Sequence, residues 1–462
     1  MPKKRIKKIP QSKKDKIPAK IKLKKHLNAD SLFEEVYSNF KKFPEFRSQN
    51  TEISMADALM SGFAMFSLKD PSLLAFDERR HNDGKLINLQ SVFGIGKVPC
   101  DTTMREILDN VILENFNTSF KTIFNKIQRG GALSPMKYIQ GHYILSVDGT
   151  GFFASSKLNS DACLEKKNKE TGETIGYYQQ LLGAAIVHPD FKEVIPLMPE
   201  MIIKQDGETK NDCERNACKR FFSQLRNDHP HLPLCITEDA LSGNAPHIKS
   251  LKKFNLRYVL GVKPGDHAFL FDYVNSADQK EQVTEFEVPD KKDPKITHRY
   301  RFLNDVPLNK SNQDVRVNFM EYWEITEKKT KHFSWITDFN VTQENAYEIM
   351  RTGRVRWKIE NETFNTLKNQ GYHFGHNFGL GKQNLSSVFA MLMMLAFLVD
   401  QTQQLTCNLF RSVWRKLGSK RALWEQMRAF FMNHKLDSMT QLYKALLYGF
   451  EFQAPVILGD TS

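Results

Sequence analysis

Glu360 lies in the segment Arg354-Val-Arg-Trp-Lys-Ile-Glu-Asn-Glu-Thr-Phe-Asn-Thr-Leu-Lys368, a carboxylate surrounded by Arg354, Arg356, Lys358 and Lys368. Such a grouping suits two tasks at once: holding a divalent metal ion and gripping a phosphate backbone. Two further acids stand where strands would present them. Asp148 lies within Tyr143-Ile-Leu-Ser-Val-Asp-Gly-Thr-Gly-Phe-Phe153, and Asp239 ends Leu234-Cys-Ile-Thr-Glu-Asp239. Three hard oxygen donors of this kind are predicted to bind Mg2+ or Mn2+, and two such ions about 3.5–4 Å apart can drive an in-line displacement at phosphorus. Glu238 and Glu362 compete for the second and third places. Strand alternation turns Glu238 away from the face of Asp239, and Arg356 stands one helical turn from Glu360. The bland alternative is a solvated helix laced with ion pairs.

The elements that must position these residues can be read from periodicity. The segment 354–368 has no Gly or Pro and runs towards Gly371, which predicts a helix with a glycine cap. Ahead of it, strand-like runs at 143–153, 177–187 and 194–203 precede an amphipathic helix at 211–227. A short strand at 234–239, a short helix at 245–254 and a strand at 257–262 follow, which gives the order βββαβαβ. In an RNase H-like sheet of that order the first and fourth strands are neighbours, and a late helix can lie across their ends. Residues 266–335 alternate with period two and predict a β-rich insertion. Residues 29–138 read as helical, with a capping box at Ser54-Met-Ala-Asp57 and a second helix start at Asp101. From 386 to 462 the pattern is helical again. Its longest apolar run, Val388–Val399, spans only twelve residues and predicts a buried helix rather than a membrane span.

Charge is concentrated at one end of the 462-residue chain. Residues 1–26 carry twelve Lys or Arg against Asp15, so +11 of the formal +13 lies there and only +2 is left for the rest. Residues 1–28 are therefore predicted to be a disordered basic arm, either a sequence-blind DNA contact or a solubilising tail. Any polyanion binding by the body has to come from local patches. The six cysteines form no CxxC pair, which predicts reduced thiols in a cytoplasmic protein. No apolar h-region follows the basic run. His373 and His376 lack further ligands in sequence, and capping explains Asp212 and Glu214 at a helix start. Trp323 and Trp335 are read as packing residues that could also stack on an unpaired base. Arg411, Arg415, Lys416, Lys420 and Arg421 form either a DNA contact or a solvated face.

Ser146-Val-Asp-Gly-Thr150, Thr237-Glu-Asp-Ala240 and Arg356-Trp-Lys-Ile-Glu360 occur in that order, with a β-rich block before the last. Together they resemble the DDE transposases of bacterial insertion sequences, in the branch marked by Tyr-x2-Arg-x3-Glu-x6-Lys. The resemblance covers about residues 140–385. It implies a multi-domain α/β protein: a helical DNA-binding domain at 29–138, an RNase H-like core at 139–265 and 336–385, the β-rich insertion at 266–335, and a helical dimerisation region at 386–462. It further implies that Asp148, Asp239 and Glu360 are catalytic and hold two Mg2+ or Mn2+ ions. Arg354, Arg356, Lys358 and Lys368 would then bind DNA. The expected activity is cleavage at terminal inverted repeats and strand transfer into target double-stranded DNA. The protein would act as a homodimer, with no membrane contact, in the bacterial cytoplasm on the nucleoid. Two departures stand out. Gly353 occupies the Tyr position, and the Lys falls at 368, one residue late, with Leu367 in its place. The competing expectations are an RNase H-like nuclease or resolvase without transfer, and a non-catalytic DNA-binding descendant.

Overall fold

The computed structural model describes residues 24–48, 51–81, 83–202 and 213–449. The predicted basic arm lies almost wholly outside these residues, as do Asp212 and the end of the predicted C-terminal region. The first helices are α1 (Ala29–Phe40), α2 (Met55–Ser67), α3 (Leu73–Asp77), α4 (Asp83–Phe93), α5 (Asp101–Leu108) and α6 (Asn117–Arg129). Then follow β1 (Tyr143–Ser155), β2 (Leu164–Lys167), β3 (Thr174–Val187), β4 (Ile195–Pro196), β5 (Glu200–Ile202), α7 (Glu214–Asp228), β6 (Leu234–Glu238), α8 (Ala245–Lys253) and β7 (Arg257–Gly261). The third predicted strand is thus two short pieces, interrupted around Pro199. Next come α9 (Ala268–Asp278), β8 (Thr284–Pro289), β9 (Thr297–Asn309), β10 (Asn312–Ile325) and β11 (Thr330–Thr337). The last elements among the described residues are α10 (Ala346–Arg354), a π-turn (Ile359–Phe364), α11 (Asn365–Asn369), α12 (Leu385–Thr406), α13 (Asn408–Leu417), α14 (Lys420–Asn433) and α15 (Met439–Tyr448).

The two outer helical regions share one core. Ser54 Oγ accepts the N–H of Asp57 at 3.0 Å, which starts α2 as the capping box predicts. Asp57 then also accepts the N–H of Gly96 and the Tyr37 hydroxyl, pinning the loop before α5. All thirteen residues of α2 are buried. The apolar run expected at 388–399 extends to the 22 residues of α12, long and apolar enough to cross a bilayer. It is nevertheless buried inside the fold, packed on α2, α5 and α6 from the N-terminal side and α13 from the C-terminal side. A helix apolar all round has no solvent face to offer. The regions 29–138 and 386–462, expected as separate domains, therefore interlock, and α2 presents no free face to a DNA groove.

The strands form one mixed sheet in the order β2-β3-β1-β6-β7-β11-β10-β9-β8, with β4 and β5 also on β3. β1 runs antiparallel to β3 and parallel to β6, and β6 runs parallel to β7. The region predicted as an insertion is not a separate body. Its last strand, β11, pairs with β7 through Ile336 and Leu260, so the core sheet continues into it. It also contains α9, a helix absent from the β-rich expectation. Leu270, Phe271, Val274 and Ala277 of that helix are buried, and it packs against β9.

The segment predicted as one helix at 354–368 is interrupted. α10 ends at Arg354, a tight stretch follows, and the π-turn then hands over to α11. A π-turn closes i to i+5 and so takes in one more residue than an α-turn.

Candidate active site

The parallel register of β1 and β6 brings the first two acids together. Ser146 lies opposite Thr237, so two residues further on Asp148 and Asp239 stand side by side. Asp148 Oδ1 accepts the N–H of Gly149 at 2.9 Å. Asp239 is exposed just past β6, and its Oδ1 caps a short 3-10 turn by accepting the N–H of Leu241 at 3.0 Å. Glu238 faces the other way, as alternation requires. It is buried, 2.5 Å from His247 Nε2 and within reach of the Cys218 thiol. Burial disfavours a charged ring at His247, but the Glu238 carboxylate outweighs it and raises that pKa.

Glu360 reaches the same place from the π-turn. Gly183, opposite Asp148 on β3, makes this approach possible, because a Cβ there would lie 2.7 Å from the Phe364 ring. The link between the acids is Arg356. Its Nη1 is 3.2 Å from Asp148 Oδ2 and its Nη2 is 2.7 Å from Glu360 Oε1. The Ser146 hydroxyl donates to the Arg356 carbonyl at 3.0 Å and fixes the backbone beneath. The Asp148 carboxyl is pushed up to about 6, first by burial. Arg356 opposes that rise, while Glu360 and Asp239 add to it.

A fourth acid joins them. Glu214, in the first turn of α7, brings its carboxylate against Gly149, where a Cβ would lie 2.1 Å from Oε1. Burial raises its pKa, and Asp239 and then Glu238 raise it further. Capping accounts for Glu214 in sequence, and only the missing side chain at Gly149 hints at a close approach.

The four predicted DNA-binding cations are placed differently. Lys368 Nζ donates to Thr150 Oγ1 at 3.1 Å, on the strand that carries Asp148. Arg354 pairs with Glu324 at 2.8 Å and covers the Phe333 ring, tying α10 to the β10–β11 hairpin. Lys358 corrects its expectation. Its ammonium is buried and donates to the carbonyls of His188 (2.6 Å), Pro189 (3.4 Å) and Phe191, so it holds a loop rather than facing solvent. Burial lowers its pKa, as it does that of Lys420, and in both cases Glu362 is the first charge opposing the fall. Lys416 caps α15 through the Leu446 and Leu447 carbonyls. At Gly353, where the branch signature has Tyr, a Cβ would lie 2.2 Å from Trp335 Nε1, so the indole fills that space.

In kind, Asp148, Asp239, Glu360 and Glu214 are the hard, acceptor-only donors that Mg2+ or Mn2+ takes. Among the described residues, however, no three His, Cys, Asp or Glu side chains converge closely enough to share one ion. The Arg356 guanidinium stands between two of them.

Neither a protein-family model nor a curated protein matches this sequence. Among solved structures, a chain of the piggyBac transposase synaptic complex with hairpin DNA, determined by cryo-EM, is similar over 90% of this chain and 78% of its own. The two share 12% identity with a TM-score of 0.38, a level at which the likeness decides nothing about this chain.

Proposed function

We propose that this protein is a DNA transposase with an RNase H-like core, cleaving transposon ends and joining them to target DNA by metal-dependent phosphoryl transfer. The observation that carries the reading is the approach of Asp148, beside Asp239 from the neighbouring parallel strand, to Glu360 from a late π-turn, with Arg356 bridging Asp148 and Glu360. The sheet order β3-β1-β6-β7, antiparallel then parallel, is the layout such a core needs. Isolated surface acids would have no reason to come from three distant parts of the chain to one place.

In this reading Asp148, Asp239 and Glu360 hold Mg2+ or Mn2+, which supplies activation of the attacking oxygen and neutralisation of the leaving one. The protein's own contribution is to position. Arg356, with its planar fork, suits bidentate contact with a backbone phosphate beside the acids. Lys368, above Thr150, offers a second cation on the same face. Double-stranded DNA is the substrate, and a homodimer synapsing two ends is part of the proposal.

The test is Mg2+-dependent nicking and strand transfer on a duplex that carries the DNA flanking the gene, searched for short inverted repeats. Asp148→Asn, Asp239→Asn and Glu360→Gln should each abolish both reactions while the fold is kept. Asn is itself a good helix cap, so the Asp239 variant isolates the chemistry from the capping. Nicking without transfer would mark a nuclease instead, and wild-type rates in the variants would refute the assignment.

A further inference from the structure

We propose that Arg356 is an exchangeable counterion. In the DNA-free protein it closes Asp148 and Glu360 to divalent cations, and a DNA phosphate draws its guanidinium away. The proposal rests on the reading above, that these acids hold a cation. Its observations are the two contacts of one guanidinium, 3.2 Å to Asp148 and 2.7 Å to Glu360, and the lack of any three converging donors among the described residues.

The fork uses the carboxylate lone pairs that a metal ion would take, and it puts a unit positive charge where the ion would sit. Metal and guanidinium therefore compete for Asp148 and Glu360. The residue is built to let its side chain move. Its carbonyl is anchored by Ser146, while its side chain remains about a quarter exposed. A phosphodiester has the same bidentate acceptor geometry as a carboxylate. DNA thus offers the guanidinium a replacement partner. Freed of it, Asp148 and Glu360 repel each other and Asp239, which favours a divalent cation. Metal loading and DNA binding then strengthen each other, and linkage makes this coupling reciprocal.

The experiment measures Mn2+ affinity of the full-length chain by electron paramagnetic resonance of free Mn2+. It is run with and without a short random-sequence duplex, whose own Mn2+ uptake is subtracted. Without DNA, Arg356→Gln should bind Mn2+ on the order of tenfold more tightly than wild type. Arg356→Lys, a cation without the fork, should fall between them. The duplex should tighten Mn2+ binding to the wild type but not to Arg356→Gln. If Arg356→Gln binds no tighter, or DNA tightens both proteins equally, the counterion role is wrong. In that outcome the metal reading stands, provided Asp148→Asn and Glu360→Gln still weaken binding. If those two variants bind Mn2+ like the wild type, the metal reading fails and the counterion role with it.

Discussion

Lys368 reaches Thr150 Oγ1 at 3.1 Å, two residues along β1 from Asp148, although it lies eight residues after Glu360. At 100° per residue a spacing of eight would leave it about 80° from Glu360. The π-turn between them absorbs the extra residue, so both side chains address the same face of β1. Replacing Lys368 with Gln should leave stability unchanged and reduce the slope of DNA affinity against salt by about one unit, the signature of one lost phosphate contact. The double variant Leu367→Lys/Lys368→Leu restores the branch spacing on paper. It should nonetheless lose several kcal/mol, because Leu367 is fully buried and would bring an ammonium into the core. Salt-series binding together with denaturant titration checks both. A double variant that binds DNA with wild-type stability would sink the register argument.

Lys358 provides the opposite case. Its ammonium satisfies carbonyls of the 188–191 loop from a buried position. Lys358→Met should therefore cost about 2–3 kcal/mol, since it leaves buried acceptors without a donor. DNA affinity per folded molecule should not change. Normal stability with weakened DNA binding would reinstate the phosphate role that its sequence context predicts.

What was readable in the sequence follows from how local each signal is. The facing of Asp239 against Glu238 needs only strand alternation, and the start of α2 needs only Ser54 and Asp57. The side-by-side placement of Asp148 and Asp239 needs the order of elements and no more. The π-turn was invisible because an extra residue leaves no mark in composition: no Gly or Pro interrupts 354–368. Lys358 reads as a phosphate contact in sequence because the carbonyls that hold it lie some 170 positions away. The joining of β11 to β7 and the packing of α12 on α2 are likewise long-range choices, made by which apolar faces remain uncovered. Glu214 belongs to this class too: its first-turn position fully explains it until Gly149 is seen beneath it.

Gly353 should resist the residue its branch signature calls for. A Cβ there meets Trp335 Nε1 at 2.2 Å, and Trp335 is 5% exposed within the sheet. Gly353→Ala should cost about 1–3 kcal/mol through overpacking, and Gly353→Tyr more. Trp335→Leu combined with Gly353→Ala should be less destabilised than the sum of the single changes, because the clash is removed with the indole. Strictly additive melting shifts would show that the two residues do not compete for this space.

His229 should make stability depend on pH. Its ring packs at a tilt of 53° against Phe124 with centroids 4.4 Å apart, at the contact between α6 and the end of α7. Burial pulls its pKa from 6.5 down to about 4, more strongly than Asp228 pushes it up. A base with a depressed folded pKa binds fewer protons folded than unfolded throughout that interval. Its contribution is therefore complete above pH 6.5 and is lost as pH falls towards about 4. Allowing for partial exposure of the ring, the loss is about 2 kcal/mol. His229→Phe keeps the aromatic contact and removes the titration. In denaturant titrations the wild type should lose about that much more stability than the variant between neutral pH and the acid end of the window. Parallel pH curves for the two proteins would show that His229 titrates as it does in the unfolded chain.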